Sequence, residues 1–518
     1  MDGHRPALTR AATLALPALF LALFFAYPLA AIVGRGLSGE GSVSVPGGVA
    51  WFTVWQAAAS TALSLVLGLP LAAVVGRYAF PGRSLVRALV LVPFVLPTVV
   101  VAGAFLALGL DRGVPAILAA HVFFNVAVVV RVVGSYWARL DPHLWDGAAT
   151  LGAGAAARFR HVTLPLLAPA LAASGTLVFL FCFTSFGVIL ILGGPAYATL
   201  ETEIYNAAAR LFDLRTAAVL SLVQLGAVAA ILGLTSLCER GVQRSVPLVA
   251  EEDRLRRPVG FERWLVVAVL SLSGLALGLP LAALVERSLD GPGGYGLVFY
   301  RELGSETAVL LVEPWRAILG SLLFATAATA LALVVGGLAA VAVARRRAGW
   351  LDVLVMLPLG ASAVMLGFGF VIAFDEPPLD LRGSPWLVPI AQSLVAAPFV
   401  VRIVAPALRS IDARLHDAAA VLGASPARIR REIDLPLVLR AFGVAAGFAF
   451  AISLGEFGAT LFVARADWPT VPVAIFAFLG RPGATNAGEA AALGVVLMAL
   501  TAAVVLLADR LAARRWTL

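Results

Sequence analysis

Few side chains in this sequence have the type and setting to do chemistry. Glu456, in "SLGEFGAT", is the only carboxylate placed well within a long apolar run. A lone carboxylate there is neutral, paired, or bound to a passing cation. Phe457 follows it directly, and Ser185 stands between Phe183 and Phe186 in "FCFTSFG". A carboxylate among phenylalanines accommodates a cation by charge and by attraction to the ring faces. Any single Phe in such a run more often packs against core or lipid. His121 and Asn125, in "AHVFFN", read as groups that hydrogen-bond between helices. The five His do not cluster, and Cys182 and Cys238 are the only cysteines, so neither a metal site nor a disulfide framework is expected. The sequence contains no Lys, which excludes a Gly-x-x-x-x-Gly-Lys-Ser/Thr phosphate loop. Bond-breaking chemistry and a resident cofactor are therefore not expected of this chain. These residues suit conduction.

The elements that must position them are membrane helices. Of the 518 residues, 61% are hydrophobic and 13% charged, and the mean hydropathy is +0.96. A soluble domain carries about a quarter charged residues. Runs longer than the roughly 18 apolar residues that cross a bilayer recur, and in hydrocarbon they must be helices to satisfy their own backbone. Twelve spans are expected, near 14–34, 52–76, 85–110, 114–136, 166–192, 215–237, 264–286, 317–343, 351–374, 385–407, 437–463 and 487–508. The apolar run after Arg5 and Arg10 is too long for a signal peptide and is read as a retained first helix. With both termini cytoplasmic, 28 Arg fall inside and 10 outside, the asymmetry that the positive-inside rule requires. The net charge of +8 is thus a matter of topology, and no nucleic-acid partner is implied.

Two charged, Gly-containing stretches interrupt the apolar pattern. Residues 146–171 read "DGAATLGAGAAARFRHVTLPLLAPAL", and residues 417–442 read "DAAAVLGASPARIRREIDLPLVLRAF". Asp146 pairs with Asp417, Ala148 with Ala419, Gly152 with Gly423, and Leu164-Pro165 with Leu435-Pro436, all at a separation of 271 residues. The same register carries Arg131 onto Arg402, Ser185 onto Glu456 and Phe186 onto Phe457. The expected organisation is a first six-helix unit over 1–238, a cytoplasmic linker over 239–262, and a second unit over 263–518. Six spans return the chain to its starting side, so the two units run parallel, unlike the inverted repeats of many secondary transporters. Each stretch is expected to form helix, Gly, helix. Asp146 and Asp417 would favour a helix N-terminus, with Ala418 and Ala419 in a thin Ala-rich face. Gly152 and Gly423 would supply a left-handed turn. The Leu-Pro pairs would open the next span. Two copies in one chain suit a two-fold-symmetric partner.

The pattern Asp-Ala/Gly-Ala, three residues, Gly, nine residues, Ile/Val, one residue, Leu-Pro resembles the cytoplasmic "EAA" loop of ATP-binding-cassette (ABC) importer permeases, with Asp in place of Glu. The resemblance implies an all-α permease of about twelve helices, resembling type I importers, with coupling loops at about 140–165 and 410–436. It implies two ABC ATPase subunits that carry ATP and Mg, and a solute-binding protein outside the membrane. It also implies an inner-membrane location, in contact with lipid. "AHVFFN", "ISLGEFGATLFVARADWPTVPVAIFAFLG" and the segment from Phe181 to Leu225 are most similar to fused thiamine permeases, with fused iron(III) permeases as close relatives. On that footing Glu456, Phe457, Ser185 and Phe186 are the expected substrate pathway. An ion-driven secondary transporter is the competing class, and the duplicated loop argues against it.

Overall fold

The computed structural model describes residues 14–38, 43, 45–242, 255–344, 349–375, 377 and 379–513. Arg5, Arg10, most of the expected linker, the last five residues and the side chain of Cys238 lie outside the described residues. The first half of the chain runs α1 (Leu14–Leu37), α2 (Gly47–Arg77), α3 (Arg83–Val95), α4 (Thr98–Ala107), α5 (Val114–Trp137), α6 (Pro142–Thr150), α7 (Ala155–Phe183), α8 (Gly187–Leu192), α9 (Leu200–Tyr205) and α10 (Leu214–Val242). The second half runs α11 (Phe261–Leu289), α12 (Trp315–Ala344), α13 (Gly349–Gly360), α14 (Ala363–Ala373), α15 (Leu387–Arg409), α16 (Ala413–Val421), α17 (Ala427–Gly455), α18 (Thr460–Val463), α19 (Val471–Leu479) and α20 (Ala484–Ala513).

Ten described helices are long and apolar enough to cross a membrane. The α3–α4 and α13–α14 pairs, each bent by 98°, raise that number to twelve if each is one span. The chain is a polytopic all-α membrane protein. The bends have local causes. Pro97 cannot donate a helical bond and stands just before α4. Ser362 caps α14, its Oγ accepting from Met365 N at 3.0 Å.

Two expected spans are not continuous. The reading of 166–192 and 437–463 as unbroken helices is corrected by breaks after Phe183 and Gly455. Both helices also begin earlier than expected, at Ala155 and Ala427. Leu164-Pro165 and Leu435-Pro436 therefore do not open a helix; they lie inside one, immediately after π-helical turns over Phe159–Thr163 and Arg430–Asp434. Leu164 N–H reaches back to Phe159 O, a wider bond that absorbs the donor missing at Pro165.

The halves interlock. α1 packs on α14 of the opposite half, and α11 packs on α4. Within each half, small residues let the long helices touch: a Cβ on Gly68 would meet Val129 at 2.9 Å, and one on Gly336 would meet Val400 at 2.9 Å. Close backbone approach of this kind is what drives helix association in lipid. The largest buried cluster draws side chains from both halves, so their interface is continuous with the core.

Candidate functional site

The two odd stretches take the same shape. Asp141 caps α6, accepting from His143 N at 3.0 Å, and Asp412 caps α16, accepting from Arg414 N at 2.9 Å. Asp146 and Asp417 are thus not at the helix starts, as expected from the sequence, but one turn further in, exposed. The N-terminal donors were already served by the earlier aspartates. At the other end, Gly152 (φ 82°) and Gly423 (φ 80°) are left-handed. Ala153 N bonds Ala148 O at 3.0 Å and Gly152 N bonds Ala149 O at 3.0 Å. Ala424 N bonds Ala419 O at 2.9 Å and Gly423 N bonds Ala420 O at 2.9 Å. This is a Schellman cap in both copies, and it gives Ala148 and Ala419 a role through their carbonyls.

Each short helix leaves an apolar stripe uncovered. Leu144 and Leu151 are 46% and 88% exposed; their counterparts Leu415 and Leu422 are 48% and 87% exposed. With Ala148 and Ala419 they occupy positions i, i+4 and i+7, one face of a helix. Ala418 lies on the exposed side of that helix. The copies differ in how they are braced. In the first, Trp145 lies between two guanidinium groups, Arg77 at 4.8 Å and Arg158 at 4.7 Å. In the second, His416 Nε2 pairs with Asp434 Oδ1 at 2.6 Å. The described end of the linker joins the first loop's support, since Arg256 N bonds Arg77 O at 3.0 Å. Arg414 donates to Asp412 and holds that carboxyl below its usual range.

At the centre, the residues expected to form a pathway are brought together in part. Phe186 and Phe457 stack across the interface between halves, with centroids 5.6 Å apart and planes at 24°. The stack continues outwards to Tyr205 at 5.6 Å from Phe186 and to Phe476 at 5.4 Å from Phe457. Tyr205 and Phe476 are themselves 271 residues apart, so the four rings form one cluster in which each ring has its repeat counterpart. Such pairs contribute about 0.5–1.5 kcal/mol each beyond area burial.

Ser185 and Glu456 occupy matching places beside these rings with different partners. Ser185 Oγ bonds His121 Nε2 at 2.9 Å, and His121 Nδ1 bonds Ser60 Oγ at 3.0 Å. Asn125 Nδ2 reaches Cys182 Sγ at 3.3 Å. The inter-helix reading of His121 and Asn125 holds. Glu456, 7% exposed, turns back on its own loop. Its Oε1 accepts from Ala459 N at 2.8 Å and its Oε2 from Thr460 N at 2.9 Å. Thr460 Oγ1 also donates to Oε2. The carboxylate caps α18 where the span is broken; the matching break after Phe183 occurs without one.

Sequence reading also missed two carboxylates. Glu201 is 0% and Glu489 is 6% exposed. Gln224 Nε2 donates to Glu201 Oε1 at 3.0 Å. Glu201 sits in α9, six residues long, which a hydropathy window reads as loop; Glu489 lies near the start of α20, at the margin of the expected last span. A deviation from the repeat was the available signal, because Glu201 matches Pro472. Among the described residues no three His, Cys, Asp or Glu side chains are grouped as metal ligands.

Residues 68–238 and 332–517 match the family described as the binding-protein-dependent transport system inner membrane component. The chain is 32% identical over 493 residues to the thiamine transport system permease protein ThiP of Brucella abortus (strain 2308), covering 90% of this chain and 88% of that protein. ThiP of Brucella suis biovar 1 (strain 1330) is equally similar, at 32% over the same coverage. A shorter likeness, 32% over 245 residues, covers 46% of this chain and 89% of PhnV of Salmonella typhimurium, a protein named for 2-aminoethylphosphonate transport. The chain belongs to the family of inner-membrane components of binding-protein-dependent transport systems.

Proposed function

We propose that this chain supplies two permease units of an ABC importer, fused in one polypeptide, and that its substrate is thiamine. The units would span 1–238 and 263–518, joined by the linker, with both termini and both capped loops in the cytoplasm. Two ATPase subunits would each receive one loop, and ATP and Mg would be bound there and not by this chain. A solute-binding protein would deliver the substrate at the opposite face.

The observation that carries this reading is the pair of capped helices. Leu144, Ala148 and Leu151, and again Leu415, Ala419 and Leu422, present one apolar stripe twice with most of the leucine surface uncovered. Exposed leucines repeated at equivalent positions suit a partner that is itself present twice. The substrate would pass between the halves when the Phe186–Phe457 stack parts. Ser185 and Glu456 set the surroundings of that stack, with Glu456 holding the broken span in shape. Thiamine is preferred because the relatives that carry that name cover both halves of the chain, whereas the likeness to PhnV covers one.

Reconstitution with the cognate ATPase and binding protein tests it. ATP-dependent accumulation of labelled thiamine in proteoliposomes is expected. Accumulation of 2-aminoethylphosphonate or iron(III) instead would keep the importer and replace the substrate. Uptake driven by an ion gradient without ATP would overturn the class.

A further inference from the structure

On the face opposite the two capped loops, two cavities lie between the halves in equivalent places. One, of about 670 Å³, is walled by α1, α9, α10, α14 and α18; the other, of about 610 Å³, by α4, α11, α19 and α20. Arg35 and Arg287, which close the similar stretches "YPLAAIVGR" and "LPLAALVER", each line one of them. Their charges differ. The first cavity also holds Arg382 and Asp375, joined in an ion pair at 2.5 Å. The second adds Arg112 and Arg481, and among the described residues no carboxylate lines it. Asp290 touches Arg287 at 3.4 Å from outside the lining, and Asp111, next to Arg112 in the chain, is exposed and also outside it. Elsewhere on this face arginines are neutralised: Arg316 pairs with Glu313 at 2.9 Å and Arg465 with Asp467 at 2.8 Å. Among the described residues Arg112 and Arg481 have no ion-pair partner.

We propose that the second cavity is a binding site for the phosphate head of an anionic phospholipid, held by Arg112, Arg287 and Arg481. The inference goes beyond the importer reading and does not depend on what is transported. Each guanidinium is steadied by a backbone carbonyl: Arg112 donates to Leu479 O at 3.4 Å, Arg287 to Ala484 O at 3.3 Å, and Arg481 to Ala308 O. A guanidinium carries five N–H donors, so most remain for an oxyanion. Three like charges around one cavity repel, and an anion among them turns that repulsion into attraction. Depth selects the source of the anion. All three arginines lie within three residues of the end of a span, at α5, α11 or α20, which is the level of the lipid phosphates. Part of the wall is apolar and only half-buried, at Leu106, Ala107, Leu479 and Ala487. A free phosphate gains nothing from that wall, whereas a lipid covers it with the start of its acyl chains. A zwitterionic headgroup brings its own cation towards the arginines, and a net negative one does not. In the first cavity Asp375 already stands where such an anion would be needed, so one site is assigned and not two.

The equivalent cavity supplies an internal control. The full chain is reconstituted in phosphatidylcholine vesicles doped with a phosphatidylglycerol bearing an acyl-chain diazirine, or with the matching phosphatidylcholine probe, and crosslinks are mapped by mass spectrometry. At Leu106 and Leu479 the phosphatidylglycerol probe should outnumber the other roughly three- to tenfold, and at Leu461 and Phe462 of the first cavity the two should agree within about twofold. Combining Arg112→Gln, Arg287→Gln and Arg481→Gln should abolish the preference at Leu106 and Leu479. Ala487→Glu leaves every arginine in place and puts a carboxylate into the cavity; it should abolish the preference too, while Ala487→Gln keeps it. This pair carries the test if the triple variant does not fold. Equal labelling by the two probes at Leu106 and Leu479 in the native chain overturns the site, as does a preference that survives Ala487→Glu. Loss of the preference in excess inorganic phosphate overturns the lipid as its occupant. Arginine variants that keep the lipid preference but lose affinity for the binding protein overturn it as well, in favour of acidic side chains of that protein.

Discussion

The two capped glycines offer a perturbation whose size can be worked out from geometry. Gly152 has φ 82° and Gly423 φ 80°, and a Cβ built on either would meet nothing within 4 Å. Substitution is therefore free of clash, and what remains is backbone strain. A β-branched residue held in this region is strained by on the order of 1–3 kcal/mol, comparable to the few hydrogen bonds that close the cap. The loop relieves the strain by leaving the left-handed region, which breaks the Ala153–Ala148 and Ala424–Ala419 bonds and re-aims Leu151 and Leu422. The membrane helices make no use of these bonds, so insertion and thermal stability of the purified chain should be unaffected. In the reconstituted complex, Gly152→Val with Gly423→Val is expected to abolish most of the substrate stimulation of ATPase activity, and each single variant to reduce it several-fold. Asn tolerates the left-handed region better than other side chains, so Gly152→Asn with Gly423→Asn should retain coupling. Full stimulation in the double Val variant would refute the reasoning. Equal loss in the Asn and Val variants would show that the space above the glycine matters, not its φ.

Leu151→Asp with Leu422→Asp should weaken ATPase binding by at least tenfold in pull-down or light-scattering titration without altering the chain's helix content, because each removes an exposed apolar contact and adds a charge. Glu456→Gln leaves one acceptor where two backbone N–H groups need service, and should lower stability in detergent by about 1–3 kcal/mol; Glu456→Ala should lower it further, as read by thermal unfolding. Phe186→Ala with Phe457→Ala removes the central rings of the cluster, and should raise substrate-independent ATPase activity or passive solute leak in sealed vesicles. Asp412 is held below its usual range by Arg414, so its contribution to the cap is present above the ordinary carboxylate pKa and is lost as pH falls through the depressed value; ATPase coupling should therefore persist on mild acidification to pH 5 and be less acid-resistant in Arg414→Ala.

The order of the long membrane helices was legible in the sequence because hydrocarbon leaves the backbone one option, and long apolar runs declare it. The capped loops were legible because they break that rule twice at one spacing. The details that escaped depend on donors and acceptors that hydropathy does not see. Asp141 and Asp412 lie a few residues before the paired stretches and precede Pro142 and Ala413, so they were available as caps, yet the eye falls on Asp146 and Asp417. Pro165 and Pro436 suggest a helix start, but a π-helical turn lets an existing helix run through them. Glu456 reads as a charge looking for a cation, whereas three donors from its own loop were waiting for it. Glu201 and Glu203 share a six-residue helix too short for any window to register, next to apolar segments that dominate the average.

These misses sort by symmetry. Where the halves meet identical surroundings, equivalent residues behave alike: Gly152 and Gly423 turn the same way, Leu151 and Leu422 are bare to the same extent, and Phe186 and Phe457 face one another. Where they meet a single object, equivalence fails. His121 holds Ser185 on one side, while Thr460 holds Glu456 on the other. Glu201 and Glu203 have Pro472 and Ala474 as counterparts. A duplicated chain drifts in sequence everywhere, but substitutions that place a carboxylate in the core are costly enough to be lost unless served or used. Glu456 is served at both oxygens and Glu201 at one, by Gln224, while Oε2 of Glu201 and of Glu489 are buried without a hydrogen-bond partner. Glu203 is only partly buried and borders a cavity, so it needs no such service, and its counterpart is apolar. A substrate without two-fold symmetry is the single object that such an arrangement fits.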